Sequence, residues 1–255
     1  MLEVRNLSVV ISKDMRTVIE GLSFTLNPGD KAVIIGEEGN GKSTLLKLIH
    51  DPALVEGYAE YEGTISKKGV VTGYLPQELT PEEKEESINV FTGRYLERFG
   101  IYERDIPREM RTADELGFDI SLTESSRDIG SLSGGERVKL LLFLLICTDP
   151  DVYLLDEPSN DIDIETLETL ERFMLSADKP ILYISHDETL ISSTADMVIH
   201  IEQLRDKSRP RSTVMRIGYD EYVSRRERSM AAQARVAGEE REAFEKKTER
   251  WRRIY

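Results

Sequence analysis

Apolar and polar residues alternate along the first 26 positions of the chain. Apolar side chains occupy positions 2, 4, 7, 9 and 11, and a second apolar-rich run, 18–26, follows a short polar turn. Alternation with a period of two is typical of strands that bury only one face. The pattern therefore predicts two strands of a partly exposed antiparallel sheet, followed by a turn at residues 27–30.

Buried strands are predicted by three short runs in which β-branched and other apolar residues dominate, 31–35, 152–155 and 181–185. Runs of this length without alternation are typical of strands in a parallel sheet that is covered on both faces. Helical patterns lie between them, at residues 45–49, 138–147 and 163–173. This mixture predicts an α/β fold.

Two segments have a more charged composition. Residues 79–128 are helix-prone and contain no long apolar run, and residues 220–255 form a long charged helix candidate after a short strand, Thr213 to Ile217. In the second segment one apolar row repeats every seven residues, at Val223, Met230, Ala237, Phe244 and Trp251. A single row gives too narrow an apolar face to stabilise an isolated helix, so this helix is expected to pack against a partner. Because no cap precedes Tyr255, the chain is expected to be the first half of a longer protein, ending inside a linker.

Charge is distributed unevenly along the 255 residues, which carry a net charge of −14. Residues 205–255 contain fifteen Lys and Arg against nine Asp and Glu, a net charge of +6, so residues 1–204 carry −20. The acidic total argues against nucleic-acid binding by the body of the protein, but the basic C-terminal segment does not. The distribution predicts an acidic body that carries a basic arm.

The apolar runs and the cysteine content both favour a cytoplasmic protein. The longest purely apolar run, 140–147, has eight residues, whereas a membrane-spanning helix needs about 20. The N-terminus lacks the basic and apolar segments of a secretion signal. Cys147 is the single cysteine, so no intramolecular disulfide forms. We expect no membrane span in this chain.

A phosphate-binding motif lies between the predicted strand 31–35 and the helix 45–49. Residues 36–43 match the pattern GxxxxGK[ST] in its strand–loop–helix context. Its glycines let backbone amides approach phosphate oxygens, and the helix N-terminus attracts the same anion. Lys42 is expected at the β- and γ-phosphates, and the Ser43 hydroxyl at Mg²⁺. The predicted nucleotide-binding residues of this loop are Gly36, Gly39, Asn40, Gly41, Lys42, Ser43 and Thr44.

Polar groups follow the two other buried strands. Asp156 and Glu157 end the run 152–155, and His186 follows the run 181–185. Ligands of parallel α/β sheets lie at the carboxyl ends of the strands. Asp156 is therefore predicted to hold Mg²⁺, Glu157 to orient or deprotonate a water molecule, and His186 to bond the γ-phosphate or that water. The alternative for the two carboxylates is that they are solvated charges before the next helix.

The sequence Leu-Ser-Gly-Gly-Glu at residues 132–136 precedes the apolar helix 138–147. A Ser-Gly-Gly turn at a helix start can present amides and a hydroxyl to an anion. The same residues also fit a plain helix cap, in which Ser133 and Glu136 form a capping box. The residues alone leave both interpretations open.

Five motifs occur in an order that resembles the ATP-binding cassette (ABC) ATPases. They are residues 36–44, Gln77 in Tyr-Leu-Pro-Gln-Glu, the segment 132–136, Leu-Leu-Asp-Glu-Pro at 154–158 and Ser-His-Asp at 185–187. The resemblance covers residues 1 to about 204. It implies a P-loop NTPase (RecA-like) core with an antiparallel β subdomain at 1–78 and 147–218, an α-helical subdomain with the signature motif at 79–146, and the start of a helical interdomain linker at 219–255.

In this family two cassettes pack head to tail and enclose two ATP molecules, so the resemblance implies ATP and Mg²⁺ as cofactors and a second cassette as a partner. It implies catalytic roles for Glu157, His186 and Gln77, and a metal site formed by Ser43, Gln77 and Asp156. It also implies that the signature residues contact the γ-phosphate bound by the other cassette. These residues are Ser133, Gly134, Gly135 and Glu136. Residues 159–163 would cross to that cassette.

The chain departs from the family pattern where many members stack the adenine on an aromatic side chain. Residues 11–16, which follow the first strand, contain no aromatic residue. Ile11 and Met15 are the apolar side chains of this segment that could pack on the base. The departure leaves nucleotide affinity and base selectivity open, but not the phosphate chemistry.

Three segments resemble the ABC-F subfamily, whose tandem-cassette members act on ribosomes. They are Asp-Glu-Pro-Ser-Asn at 156–160, residues 73–78, and the tyrosine-containing turn 219–222 that leads into basic residues. The resemblance implies that ATP-driven closure of two cassettes acts on the ribosome, in translation or in protection from antibiotics. The arm 219–255 would then contact rRNA or tRNA. The alternatives are the nucleotide-binding subunit of a membrane transporter, a non-catalytic ATP-binding module and, for the tail, a plain solvated helix.

Overall fold

The computed structural model describes residues 1–204, 209–232 and 235. The strands are β1 Leu2–Ile11, β2 Arg16–Leu26, β3 Lys31–Ile35, β4 Ala59–Ser66, β5 Thr72–Leu75, β6 Val152–Asp156, β7 Ile181–Ile184, β8 Met197–Leu204 and β9 Arg209–Met215. The helices are α1 Lys42–His50, α2 Pro81–Lys84, α3 Ile88–Arg98, α4 Ile106–Leu116, α5 Gly134–Cys147, α6 Ile164–Ser176 and α7 Glu188–Thr194, followed by α8 at 219–232. The α/β class is confirmed.

The smaller sheet contains three antiparallel strands in the order β2–β1–β4. Leu2 pairs with Leu26 and Val9 with Ile19, and all four side chains are fully buried. Polar neighbours in β1 face outward, as the alternation at the start of the sequence predicts. This sheet is the partly exposed antiparallel sheet expected from residues 2–26.

The larger sheet has the strand order β5–β6–β7–β3–β8–β9. Its strands run parallel from β5 to β8, and β9 runs antiparallel to β8. Strands β6, β7 and β3 are direct neighbours, so their carboxyl ends lie side by side at one edge. The phosphate loop, the two carboxylates and His186 each follow one of these three strands. The topology therefore brings together three motifs that are far apart in the sequence.

The core is divided by the larger sheet into two apolar clusters. Ala32 and Ile34 of β3 pack with α1 and the smaller sheet, whereas Val33 packs on the opposite face with α5 and α6. Because neighbouring residues of β3 enter different clusters, both faces of the sheet require apolar side chains at residues 32–35. This explains the continuous apolar run that follows Lys31.

Several elements differ from the sequence-based expectations. Strands β4, β5 and β8 were not predicted, and the short strand expected at 213–217 is β9, which covers Arg209–Met215. Helix α5 begins at Gly134, before the predicted start at residue 138. The predicted helix 220–255 is observed over 219–232, and its heptad positions Ala237, Phe244 and Trp251 lie outside the described residues. Among the described helices, none is long and apolar enough to cross a membrane.

Candidate functional site

The phosphate loop packs tightly against two neighbouring strands. A Cβ at Gly36 would lie 2.1 Å from the Ile201 carbonyl oxygen, and a Cβ at Gly41 would lie 2.8 Å from Val18 Cγ2. Both glycines have positive φ, 151° and 84°, which side chains rarely adopt. The loop therefore requires glycine at both positions, for space as well as for backbone conformation.

Two polar side chains of the loop are held by carbonyl groups. Lys42 Nζ donates to the carbonyl oxygens of Gly36 at 2.7 Å and Glu37 at 3.1 Å, and burial lowers the pKa of this lysine. Asn40 is fully buried, and its Nδ2 donates to the Ile201 carbonyl at 3.3 Å. Its side chain thus fastens the loop to β8.

Hard oxygen donors meet at the ends of β6 and the loop. The Ser43 hydroxyl donates to Asp156 Oδ1 at 2.9 Å, and the Tyr74 hydroxyl donates to Asp156 Oδ2 at 3.0 Å. Burial raises the pKa of Asp156, and these two hydrogen bonds oppose that shift. Ser43 and Asp156 fit Mg²⁺, which usually takes one or two protein oxygens besides water and nucleotide phosphates. Within the described part of the chain, no cluster of three or more His, Cys, Asp or Glu could hold a metal by itself.

Glu157 and His186 form a close pair beside this oxygen cluster. Glu157 Oε1 lies 3.1 Å from His186 Nε2, and the side chains are 5% and 58% exposed. Glu157 Oε2 is buried and has no hydrogen-bond partner among the described residues. Burial raises the pKa of Glu157, while His186 and Lys42 act in the opposite direction. Glu157 also has a positive φ of 51°, a conformation that non-glycine residues adopt mainly where surrounding structure enforces it.

The side chains of Lys42, Ser43, Glu157 and His186 line one cavity of about 380 Å³. This volume is within the size range of cofactor sites. Its lining residues are Ile11, Arg16, Glu38, Gly39, Gly41, Lys42, Ser43, Thr44, Gln77, Glu157, Asn160 and His186. The fold thus collects most of the predicted site residues. Gln77, which follows β5, also borders a neighbouring cavity at the helical subdomain.

Three lining residues were not predicted as binding residues, namely Arg16, Glu38 and Asn160. Glu38 lies in the phosphate-binding motif 36–43 and Asn160 in the segment 156–160, so the sequence motifs could have identified both as cavity residues. Arg16 begins β2 and carries no such signal, because its approach to the loop depends on how β2 packs beside it. Met15, one of the two side chains proposed for the base, is 71% exposed and does not line the cavity, whereas Ile11 does.

The signature segment adopts the capping box that the sequence allows. The Ser133 hydroxyl accepts from the Glu136 backbone N–H at 3.2 Å, and Glu136 Oε2 accepts from the Ser133 backbone N–H at 2.9 Å. Hydrogen bonds from Ser133 hold the pKa of Glu136 below its ordinary value. None of the four predicted residues, Ser133 to Glu136, lines the cavity at the phosphate loop.

The signature glycines pack against the loop that follows Glu157. A Cβ at Gly134 would lie 1.9 Å from the Asp161 carbonyl oxygen, and a Cβ at Gly135 would lie 2.9 Å from Thr166 Oγ1. Their small size is therefore needed for packing within this chain. The segment 161–166 links the signature turn to the same loop that carries Glu157 and Asn160.

The two other histidines, His50 and His200, pack against neighbouring side chains. His50 stacks on Tyr74 with ring centroids 5.4 Å apart, and burial lowers its pKa to about 4. His200 Nδ1 lies 2.8 Å from the Tyr222 hydroxyl, and Arg226 donates to Glu202 at 2.7 Å. The contacts at His200 and Glu202 attach the start of α8 to β8, the same strand whose Ile201 carbonyl accepts from Asn40.

Comparisons with known proteins found relatives of this chain. The family model described as ABC transporter matches residues 19–160, more than half of the chain. The ATP-binding protein Uup of Buchnera aphidicola is 31% identical over 187 residues, which cover 73% of this chain and 30% of Uup. The ribosome protection protein VmlR of Bacillus subtilis is 32% identical over 198 residues, 76% of this chain and 33% of VmlR. The chain therefore spans about a third of the length of these relatives.

The fold is also similar to that of a solved ATP-binding subunit of an ABC transporter. The TM-score is 0.62 at 22% sequence identity, and the match covers 78% of this chain and 85% of the subunit. At this identity the similarity concerns the fold alone. Together with the family match and the motif order, it shows that the chain belongs to the ABC ATPases, a family of ATP hydrolases, and that it resembles their ABC-F members.

Proposed function

We propose that this chain binds ATP with Mg²⁺ in the cavity at the phosphate loop and hydrolyses it as one cassette of a pair. The pairing of Glu157 and His186 carries the proposal. The buried carboxylate has one oxygen 3.1 Å from the imidazole and a second oxygen without a hydrogen-bond partner among the described residues. A carboxylate placed in this way can accept a hydrogen bond or a proton from an attacking water molecule.

The remaining side chains would bind the phosphates, Mg²⁺ and the attacking water. Lys42 would turn from the loop carbonyls to the β- and γ-phosphates, because its ammonium is held there by hydrogen bonds that phosphate oxygens can replace. Ser43, Asp156 and Gln77 would hold Mg²⁺, which supplies charge neutralisation of the phosphates when it is bound. His186, more exposed than Glu157, would orient the water or the γ-phosphate.

A second cassette is part of the proposal because the signature segment lies outside the cavity. Ser133 is exposed at the N-terminus of α5, and a phosphate of another cassette could bind there if the Ser133 hydroxyl turned away from Glu136, its partner in the capping box. The loop 159–163 would cross to that cassette. Head-to-tail packing would then complete each ATP site with the signature segment of the other cassette.

We further propose that the longer protein acts on the ribosome in the cytoplasm, as a translation factor or in ribosome protection. Support comes from VmlR, whose name states ribosome protection, and from the basic residues of α8. Arg225 and Arg228 are exposed on this helix, whose start is fixed to β8 through Tyr222 and Arg226. Closure of two cassettes would therefore move α8 with β8, and the arm could contact rRNA or tRNA phosphates.

Cosedimentation with ribosomes tests the proposal. The full-length Glu157→Gln protein is expected to pellet with ribosomes in the presence of ATP and to remain in the supernatant without it. If ATP binding is intact and no pelleting occurs, the ribosome hypothesis is wrong. A transporter subunit, the alternative function, would then be sought through a membrane partner.

Charge reversal at the arm tests the RNA contact separately. Arg225→Glu with Arg228→Glu should weaken ribosome binding several-fold and reduce its salt dependence, because two phosphate contacts are lost. Arg226 is left in place since it holds α8 on β8. The matched control reverses Arg111 and Arg127, two exposed arginines of the helical subdomain. Equal effects of the two double variants would contradict a specific role of the arm.

A further inference from the structure

Ser159 and Ser185 connect the loop after β6 to the turn after β7. Their hydroxyl oxygens lie 2.8 Å apart, so one hydroxyl donates a hydrogen bond to the other. Ser185 is 3% exposed, and Ser159 is half-buried. Ser159 is two residues after Glu157 in the sequence, and Ser185 directly precedes His186. The hydroxyl contact therefore links the two segments that carry the pair of Glu157 and His186.

His186 lies in a tight turn that the Ser185 side chain closes. The Ser185 hydroxyl accepts from the Asp187 backbone N–H at 3.0 Å, so this hydrogen bond spans His186. Asp187 is the N-cap of α7, where its side chain accepts from the Leu190 backbone N–H at 2.9 Å. The backbone is thus fixed on both sides of His186, while its side chain is 58% exposed. The Ser185 hydroxyl can form one further hydrogen bond, and Ser159 is its partner.

The loop that follows Glu157 has a conformation that needs contacts from outside the loop. Glu157 and Asp161 have positive φ values of 51° and 58°, which are uncommon for residues other than glycine. At the end of the sheet, the Glu157 backbone N–H donates to the Ile184 carbonyl at 3.1 Å. Beyond the sheet, Ser159 contacts the His186 turn at the midpoint between the two residues with positive φ. The Ser159 hydroxyl is therefore placed to hold this loop against that turn.

We propose that the hydrogen bond between Ser159 and Ser185 positions His186 against Glu157 for ATP hydrolysis. The inference rests on the proposed hydrolysis of ATP at this site. Neither serine is among the residues that line the nucleotide cavity, so both act through their neighbours and not on the nucleotide. The 3.1 Å contact between Glu157 and His186 depends on how the two segments are placed. Small displacements of catalytic groups lower turnover strongly, so loss of the serine bond should reduce hydrolysis more than binding.

Steady-state ATP hydrolysis by Ser159→Ala tests this assignment. The variant removes the bond between the two segments but keeps the bond from Asp187 to Ser185 that closes the turn. Turnover is measured at chain concentrations where it no longer rises, so that weaker pairing of cassettes does not lower it. We expect kcat to fall roughly five- to thirtyfold, which corresponds to the loss of one hydrogen bond. KM for Mg·ATP should change less than about twofold, because the hydrogen bonds of Lys42 and Ser43 involve neither serine.

Three further variants distinguish the positioning of His186 from a general effect on the fold. Ser159→Thr keeps a hydroxyl and should restore most of the lost turnover. Ser192→Ala is the matched control, because it also removes a hydroxyl hydrogen bond, 2.7 Å long, to Asp220 outside the cavity. It should leave kcat and KM unchanged. In a His186→Ala background, Ser159→Ala should lower kcat by less than about a further twofold, because the side chain through which it acts is absent.

The outcomes that would overturn the assignment are separate from those that concern ATP hydrolysis itself. An unchanged kcat in Ser159→Ala would overturn it. Fully additive losses in the double variant with His186→Ala would also overturn it, because Ser159 would then act independently of His186. Failure of Ser159→Thr to restore turnover would contradict the role of the hydroxyl. If the unmodified chain shows no binding of Mg·ATP in isothermal titration calorimetry and no phosphate release, the proposed function is wrong.

Discussion

Replacing Glu157 with glutamine should separate ATP binding from ATP hydrolysis. Glutamine keeps the shape of the side chain but removes the negative charge and the ability to take a proton. Lys42 and Ser43, the proposed binding groups for the nucleotide and Mg²⁺, make hydrogen bonds to Gly36, Glu37 and Asp156 and none to Glu157. Binding of Mg·ATP should therefore be equal to or tighter than that of the unmodified chain, since a charge that repels phosphates is lost.

The size of the catalytic loss follows from the surroundings of the carboxylate. Glu157 is 5% exposed and its Oε2 has no partner among the described residues, so bulk water cannot readily replace it as a base. General base catalysis contributes about 10²- to 10⁴-fold, or about 3–5 kcal/mol of transition-state stabilisation. We expect the turnover of Glu157→Gln to fall by that factor at saturating ATP.

A phosphate-release assay at equal chain concentrations would measure this loss. Glu38→Gln is the matched control, because Glu38 lines the same cavity but is exposed in the loop. His186→Ala should add little to Glu157→Gln if the two side chains act as a unit across their 3.1 Å contact. Turnover of Glu157→Gln within threefold of the unmodified chain would refute the assignment of the base.

Three other predictions concern association and stability. ATP turnover per chain should rise with chain concentration over a hundredfold range, because the signature segment lies outside its own cavity; a constant value would contradict pairing. Gly134→Ala should lower the free energy of unfolding by about 1–3 kcal/mol, since its Cβ would meet the Asp161 carbonyl at 1.9 Å. Urea denaturation would measure this loss, with Gly93→Ala as the control, because a Cβ at Gly93 would have no atom within 4 Å and should not destabilise the chain. Equal losses of unfolding free energy in the two variants would refute the Gly134 contact. Burial lowers the pKa of His50 from 6.5 to about 4, so as the pH falls His50 is protonated in the unfolded chain before it is protonated in the folded chain. Between pH 7.5 and 5 the free energy of unfolding should therefore drop about 2 kcal/mol more in the unmodified chain than in His50→Gln. Equal drops in the two chains would contradict this.

Much of the fold follows from local sequence patterns, but the unpredicted elements depend on tertiary contacts. Strand β5 has four residues, including Gly73 and Tyr74, too few for a clear period. Gly73 is required because a Cβ there would lie 2.4 Å from Leu145 Cδ1. Strand β4 is almost entirely exposed, so no apolar alternation marks it. Such strands form because β1 and β6 offer hydrogen-bonding edges, and this information is not local.

The sequence by itself determined the chemistry of the site. Glycines with room for phosphates, a lysine, and carboxylates at strand ends are recognisable because each residue type is demanded by the reaction. The order of the motifs determined the family in the same way.

Only the tertiary structure decided how these groups are used. It directed Asn40 to the Ile201 carbonyl, left one oxygen of Glu157 without a partner among the described residues, and placed Ser133 away from the cavity. It also brought Arg16 to the phosphate loop. The physical reason is that direction, burial and hydrogen-bond partners depend on neighbours supplied by distant strands. A motif fixes the type of a side chain, but its surroundings fix where it points and what it can bind.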